Sequence, residues 1–154
     1  MTIGFLGAGN MGSAMLHGIA ASELCKNGTI TKIYAYDASA EKRAALQKEG
    51  VSVCDSEQAL CDAVDFLILA VKPQVLGPIL DGLTLRAEQV VISICAGISA
   101  EFIRSHTIPD AKIILVMPNT PLMLGEGASA LAKCAGVSDA EFSVAMQMFA
   151  TCGV

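Results

Sequence analysis

Ile3-Gly4-Phe5-Leu6-Gly7-Ala8-Gly9-Asn10-Met11-Gly12 is the stretch that decides the fold of this chain. Thr2–Leu6 is a short apolar run, the length of a buried strand. From Asn10 to Ser22, residues Met11, Ala14, Met15, Gly18 and Ile19 recur at the spacing of one helix face. The turn between them carries three glycines. Gly7 permits a sharp reversal, Gly9 leaves backbone bare where a phosphate can approach, and Gly12 lets the helix pack close to the strand. The free N–H groups and positive end of that helix then face an anion. Strand, turn and helix in this order predict a dinucleotide-binding βαβ unit. Its pyrophosphate cradle would be Gly7, Ala8, Gly9, Asn10, Met11 and Gly12.

The pattern repeats outward from there. Lys32–Tyr36, Val51–Val53, Asp65–Val71, Val90–Ile94 and Lys112–Met117 read as further strands. Helices are expected at Ser39–Glu49, Ser56–Ala63, from Gln74 to about Leu80, at Ser99–Arg104 and at Ser138–Thr151. Ala128–Ala132 is a candidate seventh strand after the loop Pro118–Gly127. Alternating strands and helices make right-handed βα units, hence a doubly wound, mostly parallel sheet of the Rossmann type. The expectation is one NAD(P)-binding domain over residues 1–154. Cys152-Gly153-Val154 stands where another strand would start, so the chain reads as cut rather than finished.

Composition agrees with a sheet covered on both faces. Hydrophobic residues make up 53% of the 154 and charged ones only 16%, as suits strands apolar along their whole length. No apolar run approaches the roughly 20 residues of a membrane-spanning helix. Net charge is −5, without a basic stripe, so no nucleic-acid partner and no membrane are expected. The six cysteines form no CxxC pair and read as reduced thiols. The N-terminus lacks the basic region of a signal peptide, and the expected compartment is the cytoplasm.

Ligands of such sheets bind beyond the carboxyl ends of the strands, near the point where strand order reverses. Asp37, at the end of the second strand, is placed to accept hydrogen bonds from the adenine ribose and to repel a 2′-phosphate. Ser39, Lys42 and Arg43 lie just beyond and suit a 2′-phosphate instead; Asp37 alone tips the balance slightly toward NADH. The loops Ala70–Gln74 and Cys95–Ile98 should line the rest of the site. Lys72 is the only charge in the first of these and suits a phosphate, a ribose or plain solvent. Cys95 has no histidine near it in sequence and is not expected to be a nucleophile. His17 and His106 have no ligand spacing, so no metal is expected.

Four blocks in order then resemble one family. They are Ile3–Gly12, Ala70-Val71-Lys72-Pro73-Gln74, Ser93-Ile94-Cys95-Ala96-Gly97-Ile98, and Met117-Pro118-Asn119-Thr120-Pro121 with Gly125-Glu126-Gly127-Ala128. Together they are similar to pyrroline-5-carboxylate reductase, an oxidoreductase that makes L-proline by passing hydride from NADPH or NADH to the C=N carbon of Δ1-pyrroline-5-carboxylate. The Val-Lys-Pro-Gln and Met-Pro-Asn-Thr-Pro blocks discriminate it from β-hydroxyacid dehydrogenases, which share only the glycine turn.

The resemblance implies that Ala70, Val71, Lys72 and Pro73, with Cys95, Ala96 and Gly97, run along the ribose and nicotinamide. It puts Asn119 and Thr120 near the nicotinamide and Glu126 near the imino acid. The family often has Asn where this chain has Ser56, and Ser, Asn or Arg near Asp37. It also implies a C-terminal helical domain that forms a homo-oligomer and supplies most of the imino-acid pocket, so this chain alone is expected to bind cofactor without turnover. No residue reads as an obvious acid for the imine nitrogen, and the catalytic residue is left unassigned. Two other readings share the residues: another imine or β-hydroxyacid reductase, and a non-catalytic NAD(P)-binding regulatory relative.

Overall fold

Seven strands form one sheet in the order β3-β2-β1-β4-β5-β6-β7. The computed structural model describes residues 1–118 and 129–152. In chain order the elements are β1 (Thr2–Leu6), α1 (Asn10–Ala20), α2 (Glu23–Lys26), β2 (Lys32–Tyr36), α3 (Ala40–Lys48), β3 (Ser52–Val53) and α4 (Glu57–Ala63). Then come β4 (Phe66–Leu69), α5 (Pro73–Asp81), β5 (Val90–Ser93), α6 (Ala100–His106), β6 (Lys112–Pro118), β7 (Ser129–Lys133) and α7 (Asp139–Ala150). The first six strands are parallel and β7 runs antiparallel to β6. This is the expected mostly parallel, doubly wound sheet, with its reversal of order between β1 and β4.

The apolar strands are explained by two cores, one on each face. All four residues of β4 are buried. Phe66 and Ile68 join the cluster of Met15, Ile19, Met148 and Phe149, while Leu67 and Leu69 join Leu60, Leu76 and Leu80. Successive side chains of a strand point to opposite faces, so α1 and α7 cover one side and α4 and α5 the other.

Two expectations are adjusted. The single helix read over Asn10–Ser22 ends at Ala20, and a short α2 follows. Ser22 causes the break: its N–H and hydroxyl both donate to the Ile19 carbonyl, and its backbone turns extended before α2 begins. The seventh strand lies at Ser129–Lys133, one residue later than expected.

At the end of the sheet away from the glycine turn, Gln89 is 2% exposed yet fully engaged. Its Nε2 donates to the carbonyls of Cys61 (2.6 Å) and Val64 (2.9 Å), and its Oε1 accepts the Arg86 N–H. The Arg86 guanidinium donates to the carbonyls of Asp62 and Val64. Together they satisfy the carbonyls that the end of α4 leaves without helical partners.

Helix α7 begins with a reciprocal cap. Ser138 Oγ accepts the Glu141 N–H, and Glu141 Oε2 accepts the Ser138 N–H at 2.9 Å. Glu141 Oε1 takes Lys112 Nζ at 2.9 Å, tying α7 to the start of β6. Burial pushes the Glu141 carboxyl up, but the bonds from Lys112 and Ser138 outweigh it and hold its pKa below the usual range. A carboxylate lowered in the folded state adds stability above its unfolded pKa, and that stability is lost as pH falls through the folded one. Glu141→Gln should therefore cost about 1 kcal/mol at neutral pH and flatten the acid loss of stability. Urea midpoints from pH 7 downward test this; parallel pH curves for both proteins would refute it.

Candidate functional site

The carboxyl ends of β1, β4 and β5 meet at the reversal of strand order, and backbone is packed against backbone there. Gly7 leaves β1 with φ +103°, and its N–H donates to the Tyr36 carbonyl at 2.9 Å. A Cβ on Gly7 would lie 2.6 Å from the Ala70 carbonyl oxygen, and one on Gly12 would lie 2.7 Å from the Gly7 oxygen. Both glycines are therefore required by close approach of α1 and the end of β4 to the turn.

Gly9 is the opposite case. A Cβ there would meet nothing within 4 Å, so the fold leaves this position bare toward open space. Gly9 is also the N-cap of α1, without a side-chain cap, and the first turn of the helix carries no acid. Among the described residues the amides of Asn10, Met11 and Gly12 find no acceptor. Free donors, the positive end of an 11-residue helix and unfilled space in front of them fit an anionic group such as a pyrophosphate.

A cleft opens on either side of this turn. One, of about 340 Å³, is bounded by Gly7, Gly9, Tyr36, Asp37, Ala38, Lys42, Glu57, Lys72, Val75 and Ile79. The other, of about 290 Å³, lies over β4 and β5 and is lined by Met11, Ala70, Val71, Pro73, Ile94, Cys95, Ala96, Val116 and Met117. A smaller hollow beside it includes Cys95 and Gly97. The apolar lining leaves Val75 46% and Met117 65% exposed, large side chains open at the mouths of the two clefts. Two clefts separated by a phosphate-ready turn match the layout of a dinucleotide.

Most of the residues singled out in the sequence come together here, each for its own reason. Asp37 follows β2 and borders the first cleft; its Oδ2 accepts the Ala8 N–H and its Oδ1 the Ser39 N–H, both at 2.8 Å. Arg43 Nη1 donates to the Asp37 carbonyl at 2.6 Å, and its guanidinium lies over the Tyr36 ring. Ser39 and Ser56 are N-caps of α3 and α4, accepting from the Lys42 and Ala59 amides; neither borders a cleft. Lys72 is the N-cap of α5, with Pro73 following at a position where no N–H is needed.

Cys95 is buried, and its thiol donates to the carbonyls of Leu69 and Val71. Burial pushes its pKa up against the smaller lowering effects of Ser93 and Val71, so the thiol stays protonated and joins the ends of β4 and β5. Asn119, Thr120 and Glu126 lie outside the described residues. Among the described residues, no group of His, Cys, Asp and Glu is placed to hold a metal, and no helix is long and apolar enough to cross a membrane.

Sequence reasoning passed over Tyr36, Glu57, Val75 and Ile79. Val75 and Ile79 stand four apart on α5, a spacing that reads as core, and Glu57 was hidden by the capping role of its neighbour Ser56.

Comparison with known proteins points the same way. Residues 2–97 match a family described as NADP oxidoreductase, coenzyme F420-dependent. Pyrroline-5-carboxylate reductase of Escherichia coli is 33% identical over 150 residues, covering 96% of this chain and 55% of that protein. The 1-pyrroline-5-carboxylate reductase structure from Streptococcus pyogenes superposes with a TM-score of 0.87 at 27% identity, over 99% of this chain and 56% of that one. The Plasmodium falciparum pyrroline carboxylate reductase, solved with NADP bound, gives 0.83 at 29% identity, over 100% and 56%. The chain thus spans about half the length of the relatives it matches, and the resemblance seen in the four sequence blocks is met.

Proposed function

The chain belongs to the family described as coenzyme F420-dependent NADP oxidoreductases, and on that premise we propose that it is the dinucleotide-binding unit of a reductase acting on Δ1-pyrroline-5-carboxylate. The observation that carries this reading is the bare Gly9 at the head of α1, facing open space between two clefts. NADP(H), once bound, supplies the hydride that reduces the imine carbon. The amides of Asn10, Met11 and Gly12 hold its pyrophosphate. The cleft beside Tyr36, Asp37 and Lys42 takes the adenosine end, with the Lys42 ammonium at its border to favour a 2′-phosphate. The apolar cleft over Val71, Ile94 and Val116 takes the nicotinamide and keeps water from it. On the family resemblance we also assign Asn119, Thr120 and Glu126, which lie outside the described residues, to recognition of the nicotinamide and the imino acid.

The substrate class is supported by the reductases of Escherichia coli and Streptococcus pyogenes, whose names give pyrroline-5-carboxylate, and of Plasmodium falciparum, whose name gives pyrroline carboxylate. Hydride transfer also needs the acceptor held within reaction distance. We assign most of that task, and self-association, to the nearly half of those relatives that the match leaves uncovered. We further place the protein in the cytoplasm, its six thiols being unpaired, with no nucleic-acid partner.

Calorimetric titration with NADPH and NADH, followed by an assay with the imino acid, tests the whole reading. The chain should bind both nucleotides, NADPH more tightly, and should not turn over. Binding of neither nucleotide would overturn the cofactor assignment; steady-state reduction of the imine by this chain would overturn the division of labour.

A further inference from the structure

Asp37 stands at the end of β2, where a ribose would be read, and each of its carboxylate oxygens already accepts a backbone N–H. Oδ2 takes the Ala8 N–H and Oδ1 the Ser39 N–H, each at 2.8 Å. The rest of its surroundings bind the same two turns together. Tyr36 accepts the Gly7 N–H, and Ser13 Oγ donates to the Ala8 carbonyl at 2.9 Å. The peptide of Ala8, in the middle of the phosphate turn, is thus gripped on its N–H side by Asp37 and on its carbonyl side by α1. Arg43 holds Asp37 in turn, through its carbonyl and by lying over Tyr36.

Without the carboxylate, the Ala8 N–H would be a buried donor lacking a partner, and Ala8 itself is 6% exposed. An unsatisfied buried amide is costly, and rotation of the Gly7–Ala8 peptide toward another acceptor would relieve that cost. Rotation here would re-aim the backbone that precedes Gly9, and with it the donors of the first turn of α1.

Resting on the dinucleotide reading above, we propose that Asp37 is a positioning residue, which acts on a bound dinucleotide through the Ala8 peptide of the phosphate turn and not as the reader of the adenosine ribose. Each of its oxygens carries one backbone N–H and this brace is the use the geometry shows for it, so on this proposal cofactor choice is left to the cationic border of the same cleft. A ribose reader acts through charge and hydroxyl contacts, and its loss changes which nucleotide is preferred. A positioning acid acts through the turn, and its loss weakens every ligand that uses the pyrophosphate site.

Four ligands separate the two roles: NADH, NADPH, ADP and 2′-deoxy-ADP, titrated against the wild-type chain, Asp37→Asn and Asp37→Ala. Asn keeps one acceptor oxygen and Ala keeps none. Affinity should fall from wild type to Asn to Ala for all four ligands alike, by about tenfold for Ala. The NADPH-to-NADH ratio and the ADP-to-2′-deoxy-ADP ratio should stay within about twofold, additive behaviour being expected of groups that do not touch.

A tenfold rise in the NADPH-to-NADH ratio, or loss of a wild-type preference for ADP over its 2′-deoxy form, would return Asp37 to the ribose and overturn the proposal. Unchanged affinities would overturn it as well. The Ala8 amide gives a ligand-free readout. Its proton should exchange slowly in the wild-type chain, and its resonance should move in both variants while amides of α7 stay in place. Fast exchange of the wild-type Ala8 amide would refute the proposal even if a variant fails to fold. A wild-type chain that binds no nucleotide yet protects Ala8 would sink the cofactor reading and leave the brace standing.

Discussion

Gly7→Ala is expected to cost the fold about 3 kcal/mol or more, a large part of the roughly 5–15 kcal/mol that holds a domain of this size together. Two penalties coincide at this residue. Its φ of +103° is open to glycine and strained for any side chain. A Cβ would also stand 2.6 Å from the Ala70 oxygen and 2.8 Å from the Ala70 carbonyl carbon. Both are backbone atoms, so no rotamer change relieves the contact. Nor can the strands part, because Leu6 pairs with both Tyr36 and Leu69 in the middle of the sheet. A urea midpoint within error of wild type would show that the ends of β1 and β4 yield far more easily than their register suggests.

Gly9→Val should do the reverse, sparing the fold and emptying the site. The residue sits at φ −71° and ψ −168°, extended backbone open to valine, and the new Cβ would meet nothing within 4 Å. Loss of glycine at an N-cap costs about 1 kcal/mol or less. The branched side chain would occupy the space in front of the α1 amides. A pyrophosphate displaced from those amides loses charge-assisted hydrogen bonds worth roughly 1.5–3 kcal/mol each. NADPH affinity is therefore expected to drop about 100-fold, read by nucleotide fluorescence, with the thermal midpoint nearly unchanged. Wild-type affinity in this variant would mean that the phosphates bind elsewhere.

The contrast between these glycines shows how far a sequence reaches. Gly7, Gly9 and Gly12 were each given a role from spacing alone, and the close contacts at Gly7 and Gly12 and the open space at Gly9 match those roles. The order of strands and helices was legible for the same reason: strands buried on both faces are apolar without alternation, and serines at 39, 56, 99 and 138 cap the helices that follow. What could not be read was anything settled by residues distant in the chain. The hold of the Asp37 carboxylate on the phosphate turn could not be foreseen because Ala8, 29 positions away, gives no sign in sequence that its N–H needs an acceptor. Val75 and Ile79 looked like core because a helix pattern does not say which of its apolar residues meet a cleft. The break at Ser22 was missed because the helical period continues through it.

The strand that carries the phosphate turn precedes both of its sheet partners in the chain. β1 sits between β2 and β4, so one of its edges waits for residues 32–36 and the other for residues 66–69. The Ala70 wall against which Gly7 packs arrives only after that. Folding that proceeds as the chain emerges therefore cannot complete the nucleotide cradle from its own segment. The most local motif in the sequence thus waits, in time, for chain as far on as Ala70, and these long-range parallel pairings are of the kind that slow folding.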